Sequence, residues 1–114
     1  MSKLLTIVIP AYNMEQYISR CLDSFNRVHD VDDLEILVIN DGSKDKTLLI
    51  AREFEQKYPK ILKVIDKPNG GWGSAINKGL ELASGKYFKI LDSDDWFDAK
   101  AFVEFIQLLR SLDV

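Results

Sequence analysis

The feature that most constrains the fold of this chain is the regular alternation of short apolar runs with helical patterns. Between the runs, apolar residues recur at the spacing of one helix face. This alternation predicts βαβ units with right-handed crossovers and a mainly parallel sheet. We therefore expect an α/β, Rossmann-like fold with helices on both faces of the sheet. The predicted strands are the apolar runs Leu4–Ile9, Leu34–Ile39, Ile61–Ile65 and Tyr87–Leu91.

The predicted helices lie between and after these strands. Asp98 is placed to cap the last of them, and Gly85 is placed where a C′ glycine would end the third. Cys21 falls on the apolar face of the first, which favours a small buried hydrophobe over a nucleophile. The first three predicted helices are Glu15–Arg27, Asp45–Tyr58 and Ser74–Ala83.

Length and composition indicate one globular domain. The chain has 114 residues, enough for one core, and 46% hydrophobic with 29% charged residues is ordinary for a soluble protein. A net charge of −3 without a basic stripe gives no indication of nucleic-acid binding. The single cysteine allows no intrachain disulfide, and His29, in a polar loop without a His or Cys partner, predicts no zinc site.

No targeting segment is evident in the sequence. No run reaches the roughly 18 apolar residues of a membrane span, and the N-terminus lacks the core and cleavage site of a signal peptide. We expect a cytoplasmic protein, peripheral at the inner face of the membrane in its full-length form. Residues 1–114 are expected to form a single domain that is the front part of a longer chain.

Polar clusters follow each predicted strand. In open parallel sheets, ligands bind beyond the carboxyl ends of the strands. Four clusters are therefore expected to converge on one rim: Pro10–Asn13, Asn40–Ser43, Lys67–Gly73 and Asp92–Asp95.

The acidic cluster Asp92, Asp94 and Asp95 directly follows the fourth strand. Carboxylates packed at an enclosed strand end repel one another and lose hydration, and a divalent cation would relieve that cost. Mg²⁺ or Mn²⁺ suits such oxygen ligands, and Mg²⁺ commonly shares them with substrate phosphates. The run indicates a metal-assisted site for a phosphorylated ligand; the alternative is a simple helix cap and turn.

Two side chains on the same rim offer further ligand contacts. Asp41 can accept hydrogen bonds from a base or ribose, or form an Asx turn. Tyr12 offers a flat face for base stacking, or packs as a loop aromatic. Asn13 and Glu15 can cap the first helix.

The glycine-rich loop Lys67–Gly73 lets the backbone approach a ligand closely and opens a helix whose N-terminus favours anions. It matches neither a Walker loop nor a G-x-G-x-x-G turn. Lys67 can neutralise phosphate or remain solvated, and Asn77, one turn into the helix, can face the site or solvent. Trp72 and Trp96 are expected to pack rather than to cover the site.

The combined motifs resemble the family 2 glycosyltransferases of GT-A fold. The resemblance is collinear and covers nearly the whole chain. The motifs that carry it are Thr6–Asn13, Leu37–Ser43, Asn69–Gly71 with Asn77–Gly79, and Leu91–Asp95.

This resemblance implies an inverting transfer of a sugar from a nucleotide-sugar donor, usually a UDP-sugar, to the hydroxyl of a glycan or lipid-linked acceptor. Asp41 would bind the uracil, and Pro10, Ala11 and Tyr12 would line the base pocket, with Tyr12 against the ring. Asp92-Ser93-Asp94 would form the D-x-D motif.

Within that motif, the resemblance implies that Asp92 approaches the ribose or metal and that Asp94 ligates Mg²⁺ or Mn²⁺ bridging the diphosphate. Asp95 would contact the donor sugar or brace the loop. Ile76 stands where relatives often carry a basic residue before Asn77, which removes one expected phosphate contact.

The general base of such enzymes is expected beyond residue 114, so no catalytic residue is assigned. The chain would supply the donor-binding half, and its exposed truncated side favours a homodimer. Two alternatives remain: a catalytically inactive nucleotide-binding or interaction module, and a phosphate-regulated receiver domain.

Overall fold

The computed structural model describes residues 3–25, 33–96 and 98–112. Strands and helices alternate throughout these residues, as the sequence pattern predicts. In chain order the elements are β1 (Lys3–Ala11), α1 (Ile18–Asp23), β2 (Leu34–Asp41), α2 (Thr47–Lys57), β3 (Leu62–Lys67), α3 (Trp72–Leu82), β4 (Gly85–Ile90) and α4 (Ala99–Leu112).

The strands form one sheet in the order β3-β2-β1-β4, and all three pairings are parallel. The predicted α/β fold with a parallel sheet is therefore confirmed. Because every strand runs in the same direction, all four carboxyl ends meet at one rim. The chain leaves that rim through the segments that the sequence marks as polar.

Helices cover both faces of the sheet. The larger core joins alternate β1 residues such as Ile7 to α1, α2 and α4, where Phe25 and Phe102 meet edge to face at 5.5 Å. The smaller core packs Val8 and Ile39 against α3. Cys21 is fully buried in the larger core, as predicted.

Pro10 lies inside β1 rather than ending it, since β1 continues to Ala11. The β1–β4 pairing ends at Val8, whose carbonyl accepts a hydrogen bond from Leu91 N–H. Pro10, two residues further on, has its nitrogen on the same side, beyond the end of that pairing. Its missing N–H therefore costs no ladder bond.

Gly85 does not cap α3, contrary to the prediction. The helix ends at Leu82 with Ala83 in an extended conformation, and Gly85 is the first residue of β4. A Cβ on Gly85 would lie 2.4 Å from the Thr6 backbone nitrogen. Glycine is required there because β4 joins the sheet directly beside β1.

Two further expectations need correction. α1 begins only at Ile18, and neither Asn13 nor Glu15 caps it, because its start has no side-chain capping bond. β4 is half-buried rather than enclosed, with Ile90 36% exposed, because β4 is an edge strand of the sheet. Asp98 does cap α4, accepting a hydrogen bond from Ala101 N–H at 3.2 Å.

The predicted polar loop around His29 lies outside the described residues. In the described part of the chain, every helix is too short or too polar to cross a bilayer.

Candidate functional site at the carboxyl ends of the strands

An open cavity of about 530 Å³ lies at the rim where the strands end. Its volume is within the usual range for small-ligand sites. All four predicted clusters contribute lining residues, including Asn69, Gly71 and Trp72 from the glycine-rich loop. The lining residues are Pro10, Ala11, Tyr12, Met14, Asp41, Asn69, Gly71, Trp72, Ala75, Asp92, Ser93 and Asp94.

Asp41 is the buried charge of this cavity, with 5% of its side chain exposed. Its Oδ1 accepts hydrogen bonds from Lys67 Nζ and from Gly70 N–H, both at 2.9 Å. Its Oδ2 accepts one from Gly71 N–H at 2.9 Å. Burial alone would raise the pKa of this carboxyl, but the Lys67 ammonium and the two backbone donors outweigh it and lower the pKa. Asp41 is therefore held as a carboxylate.

The N–H groups of Gly70 and Gly71 in the glycine-rich loop donate hydrogen bonds to Asp41, so they are not available to an external anion. Gly71, with φ of +94°, precedes α3 and turns its N–H toward the carboxylate. Asn69 donates from Nδ2 to the Asp41 carbonyl at 3.0 Å. The anion at the start of α3 is thus an internal one, as the helix dipole favours.

The acidic cluster follows β4, which β1 separates from β2 and Asp41 in the sheet, and Asp92 and Asp94 line the cavity. Asp92, Asp94 and Asp95 are exposed, and carboxylate oxygens from the three lie within 4.8 Å of one another. A turn closed by Asp95 N–H to the Asp92 carbonyl at 2.9 Å gathers them. Exposed oxygen donors this close fit a hard divalent cation. Ser93, between them, is buried and lines the cavity.

The field of this cluster reaches the core beneath it. Burial raises the pKa of the Cys21 thiol to about 12, and the carboxylates of Asp95, Asp94 and Asp92 add to the rise. The site therefore carries negative potential that a cation would neutralise.

Trp72, at the start of α3, lines the cavity and contacts the acidic cluster. Its indole Nε1 donates to Asp92 Oδ1 at 3.3 Å, and the residue is 59% exposed. The expectation that Trp72 packs rather than covers the site is wrong, because Trp72 opens α3 at the rim and lines the cavity. Trp96 is also half-exposed, with the Arg20 guanidinium 3.6 Å from its ring centroid.

Tyr12 lines the cavity from the β1–α1 loop and is 42% exposed. The next residue, Asn13, adopts φ of +53° and ties this loop to the segment after β2. Its N–H donates to Ser43 Oγ at 3.0 Å, and its Oδ1 accepts from Lys44 N–H at 2.8 Å. The tie holds the Tyr12 ring at the edge of the site.

Two predicted ligand contacts lie outside the cavity lining. Lys67 Nζ is engaged by Asp41 and by the Pro68 carbonyl at 2.7 Å. Asn77 is exposed on α3 and is absent from the lining residues. In contrast, Met14 and Ala75 line the cavity although no sequence motif marked them. Asn69, which also lines it, belongs to the glycine-rich loop predicted on the rim but was assigned no ligand contact.

This combination defines a class of protein: a parallel α/β domain whose strand-end cavity pairs a buried carboxylate with a cluster of exposed ones. The chain belongs to the Glycosyl transferase family 2, whose family model matches residues 6–114.

Similar proteins agree with this assignment. The chain is 44% identical over 102 residues to the "Uncharacterized glycosyltransferase MG025 homolog" of Mycoplasma pneumoniae, covering 87% of this chain and 34% of that protein. It matches the crystal structure of S. aureus TarS residues 1–349 in complex with UDP-GlcNAc, with a TM-score of 0.82 and 29% identity. That match covers 95% of this chain and 31% of the crystallised TarS chain.

A third match is to the mannosyltransferase PcManGT from Pyrobaculum calidifontis, in complex with GDP-Man and Mn²⁺. The TM-score is 0.80 with 25% identity, over 90% of this chain and 31% of that one. The chain therefore spans about a third of the Mycoplasma relative and of each of these two crystallised chains.

Proposed function

We propose that this chain supplies the donor-binding part of a metal-assisted, inverting glycosyltransferase that takes a UDP-sugar. The observation that carries the proposal is one cavity lined by Asp41, by Tyr12, and by Asp92 and Asp94 of the acidic cluster. In the sheet, β1 separates β2, which ends at Asp41, from β4, which precedes the acidic cluster. These are the groups that a base and a diphosphate need, in one cavity within the size range of small-ligand sites. The UDP-GlcNAc and GDP-Man complexes of similar proteins support it.

The base would sit against Asp41 and Tyr12. Asp41 Oδ2 accepts one hydrogen bond among the described residues, which leaves it one further acceptor position. The half-exposed Tyr12 ring supplies a stacking face. Pro10 and Ala11, which precede Tyr12 in the chain, also line the cavity.

The diphosphate would lie between Trp72 and the acidic cluster. Asp94 and Asp92 would hold Mg²⁺ or Mn²⁺, which when bound neutralises charge on the leaving nucleoside diphosphate. Trp72 restrains one Asp92 oxygen and leaves the other available. Ser93 would orient the turn that presents both carboxylates.

Inverting transfer also requires a base that takes the acceptor proton. Among the described cavity residues, Asp41 is committed to three hydrogen bonds, and Asp92 and Asp94 are the proposed metal ligands. We therefore assign no base within this chain. The acceptor, a glycan or lipid-linked hydroxyl, and a cytoplasmic location at the membrane face remain parts of the proposal.

Calorimetric titration of the chain with UDP, with and without Mn²⁺, tests this function. Mn²⁺ should strengthen UDP binding, and Asp94→Asn should remove that gain while leaving metal-free binding intact. The loss should reach at least the roughly 10–100-fold typical of disturbing a metal's outer shell. Asp23→Asn, an exposed carboxylate on α1 outside the cavity, is the matched control.

Two results would count against the proposal. A folded chain that binds no UDP at any Mn²⁺ concentration would remove the donor site. UDP binding with an unchanged metal gain in Asp94→Asn would move the metal away from this cluster.

A further inference from the structure

Lys67 is placed beside Asp41 by the register of the sheet. The two residues are direct partners in the parallel pairing of β2 with β3, at the last position of each strand. Side chains of paired residues extend to the same face. The 2.9 Å contact between Nζ and Oδ1 follows from that register, and 15% of the Lys67 side chain is exposed.

This contact leaves the two Asp41 oxygens unequal. Oδ1 accepts two hydrogen bonds, from Lys67 and Gly70, which fills both of its acceptor positions. Oδ2 accepts one among the described residues, from Gly71. With 5% of its side chain exposed, the carboxylate can offer a ligand a single hydrogen bond at one oxygen.

Nucleobases differ in how many donors they present to such a group. The imide edge of uracil carries one N–H between two carbonyls. The corresponding edge of guanine carries two adjacent donors, which pair best with both oxygens of a carboxylate, as other two-donor groups do. When both acceptor positions of one carboxylate oxygen are already used, the other oxygen can still accept the single uracil N–H. Guanine would keep one donor without an acceptor, which is costly in a buried site.

We propose that Lys67 is a specificity-determining residue, which by occupying Asp41 Oδ1 selects a base with one donor over a base with two. The inference rests on the proposed function, because it places the base at Asp41. It gives Lys67 a role different from the phosphate contact predicted from sequence. Lys67 acts through Asp41 and is a positioning residue.

The position of the Lys67 ammonium supports this role over direct neutralisation of phosphate. It is engaged by two oxygens, from Asp41 and Pro68. Lys67 lies on β3, at the opposite edge of the sheet from β4 and the acidic cluster that follows β4. Moving it to the diphosphate would break the ion pair that holds the buried Asp41 charge, which is strongly unfavourable.

Lys67→Met tests the inference, with affinities for UMP, UDP and GDP measured by calorimetry at fixed Mn²⁺. The ratio of the GDP to the UDP dissociation constant should fall about tenfold, the size expected for one hydrogen bond to a charged group. UMP and UDP should weaken by the same factor, because the change acts on the base. Lys67→Arg, which keeps a cationic donor on Oδ1, should retain the wild-type ratio.

The pH profile supplies a second readout. Without Lys67 the pKa of Asp41 should rise. As the pH is lowered, Lys67→Met should therefore lose UDP binding at a higher pH than the wild-type chain does. Lys63→Met, an exposed lysine on the same strand, is the matched control and should change neither ratio nor profile. Lys67→Ala, which also removes the donor from Oδ1, replaces Lys67→Met if circular dichroism shows that the latter is unfolded.

The outcomes separate the inference from the function beneath it. Lys67→Met could instead lose affinity for UDP while its UMP affinity and its GDP-to-UDP ratio stay unchanged. That result would show that Lys67 contacts the phosphate, and it would overturn the inference alone. A wild-type chain that prefers GDP would overturn it as well. A wild-type chain that binds no nucleotide would overturn the proposed function and the inference together.

Discussion

Replacing Asp45 with alanine should lower the free energy of unfolding by removing hydrogen bonds that link the β1–α1 loop to the start of α2. Asp45 Oδ1 accepts hydrogen bonds from Thr47 N–H at 2.9 Å and Thr47 Oγ1 at 2.6 Å. Its Oδ2 accepts from Glu15 N–H at 3.2 Å. The Thr47 hydroxyl in turn accepts from Met14 N–H at 2.7 Å, so one carboxylate organises both the start of α2 and the β1–α1 loop.

The expected loss in Asp45→Ala is about 2 kcal/mol of unfolding free energy. A hydrogen bond to a charged group contributes about 1.5–3 kcal/mol when well formed, and loss of a residue that satisfies a helix start costs about 1 kcal/mol. The Thr47 bonds are short and Thr47 is fully buried, whereas the Glu15 bond is long and exposed. The Thr47 pair should therefore account for most of the loss.

The loss should depend on pH. Burial alone would raise the pKa of the Asp45 carboxyl, but the donors from Thr47 and Glu15 outweigh it and lower the pKa. A lowered folded-state pKa gives stability that is present above the unfolded value of about 3.9 and disappears as pH falls through the folded value. The difference between wild type and Asp45→Ala should thus be full at neutral pH and shrink below about pH 4.

Urea unfolding followed by far-UV circular dichroism measures both effects. Glu53→Ala, an exposed carboxylate on α2, is the control and should stay within about 0.5 kcal/mol of wild type. A loss in Asp45→Ala no larger than that of the control, or a loss that persists unchanged in acid, would refute the reasoning.

Two other predictions follow from the packing. Gly85→Ala should cost about 1–3 kcal/mol, because its Cβ would lie 2.4 Å from the backbone nitrogen of Thr6. Gly73→Ala, a helical position with open space around the added Cβ, should be neutral or stabilising in the same urea assay; equal losses would contradict the steric argument. The Cys21 thiol, fully buried with a pKa of about 12, should resist alkylation near pH 8 in the folded chain and react in urea. Rapid labelling of the native protein would show that the larger core opens readily at α1.

The sequence predicted the fold well because its signals are local. Apolar runs such as Leu34–Ile39 alternate with helical periodicity, and that alternation leaves a parallel sheet as the natural solution. The rim followed at once, since parallel strands bring their carboxyl ends together. Asp98 and Cys21 were also placed correctly, because a cap and a buried helix face depend on neighbours within one or two turns.

Contacts across the sheet were where sequence reasoning failed. Gly85 looked like a helix terminator, yet its constraint comes from Thr6, a partner 79 residues away in the chain. Asn13 and Glu15 looked like helix caps, yet their hydrogen bonds go to the loop after β2. In each case a residue type common in caps and turns serves a different element, and a single sequence carries no record of which strand lies beside which.

The alternation of the sequence alone therefore determined a parallel α/β domain with its polar clusters on one rim, and the order of residues in each cluster indicated a metal and a phosphorylated ligand. The tertiary structure alone decided how the charges on that rim are shared. The β2–β3 register sets Lys67 against Asp41, and the turn at Gly71 directs backbone N–H groups to the same carboxylate. Register and backbone φ are set by packing of the whole sheet, so the hydrogen-bonding capacity left to a ligand is a property of the fold and not of any one segment.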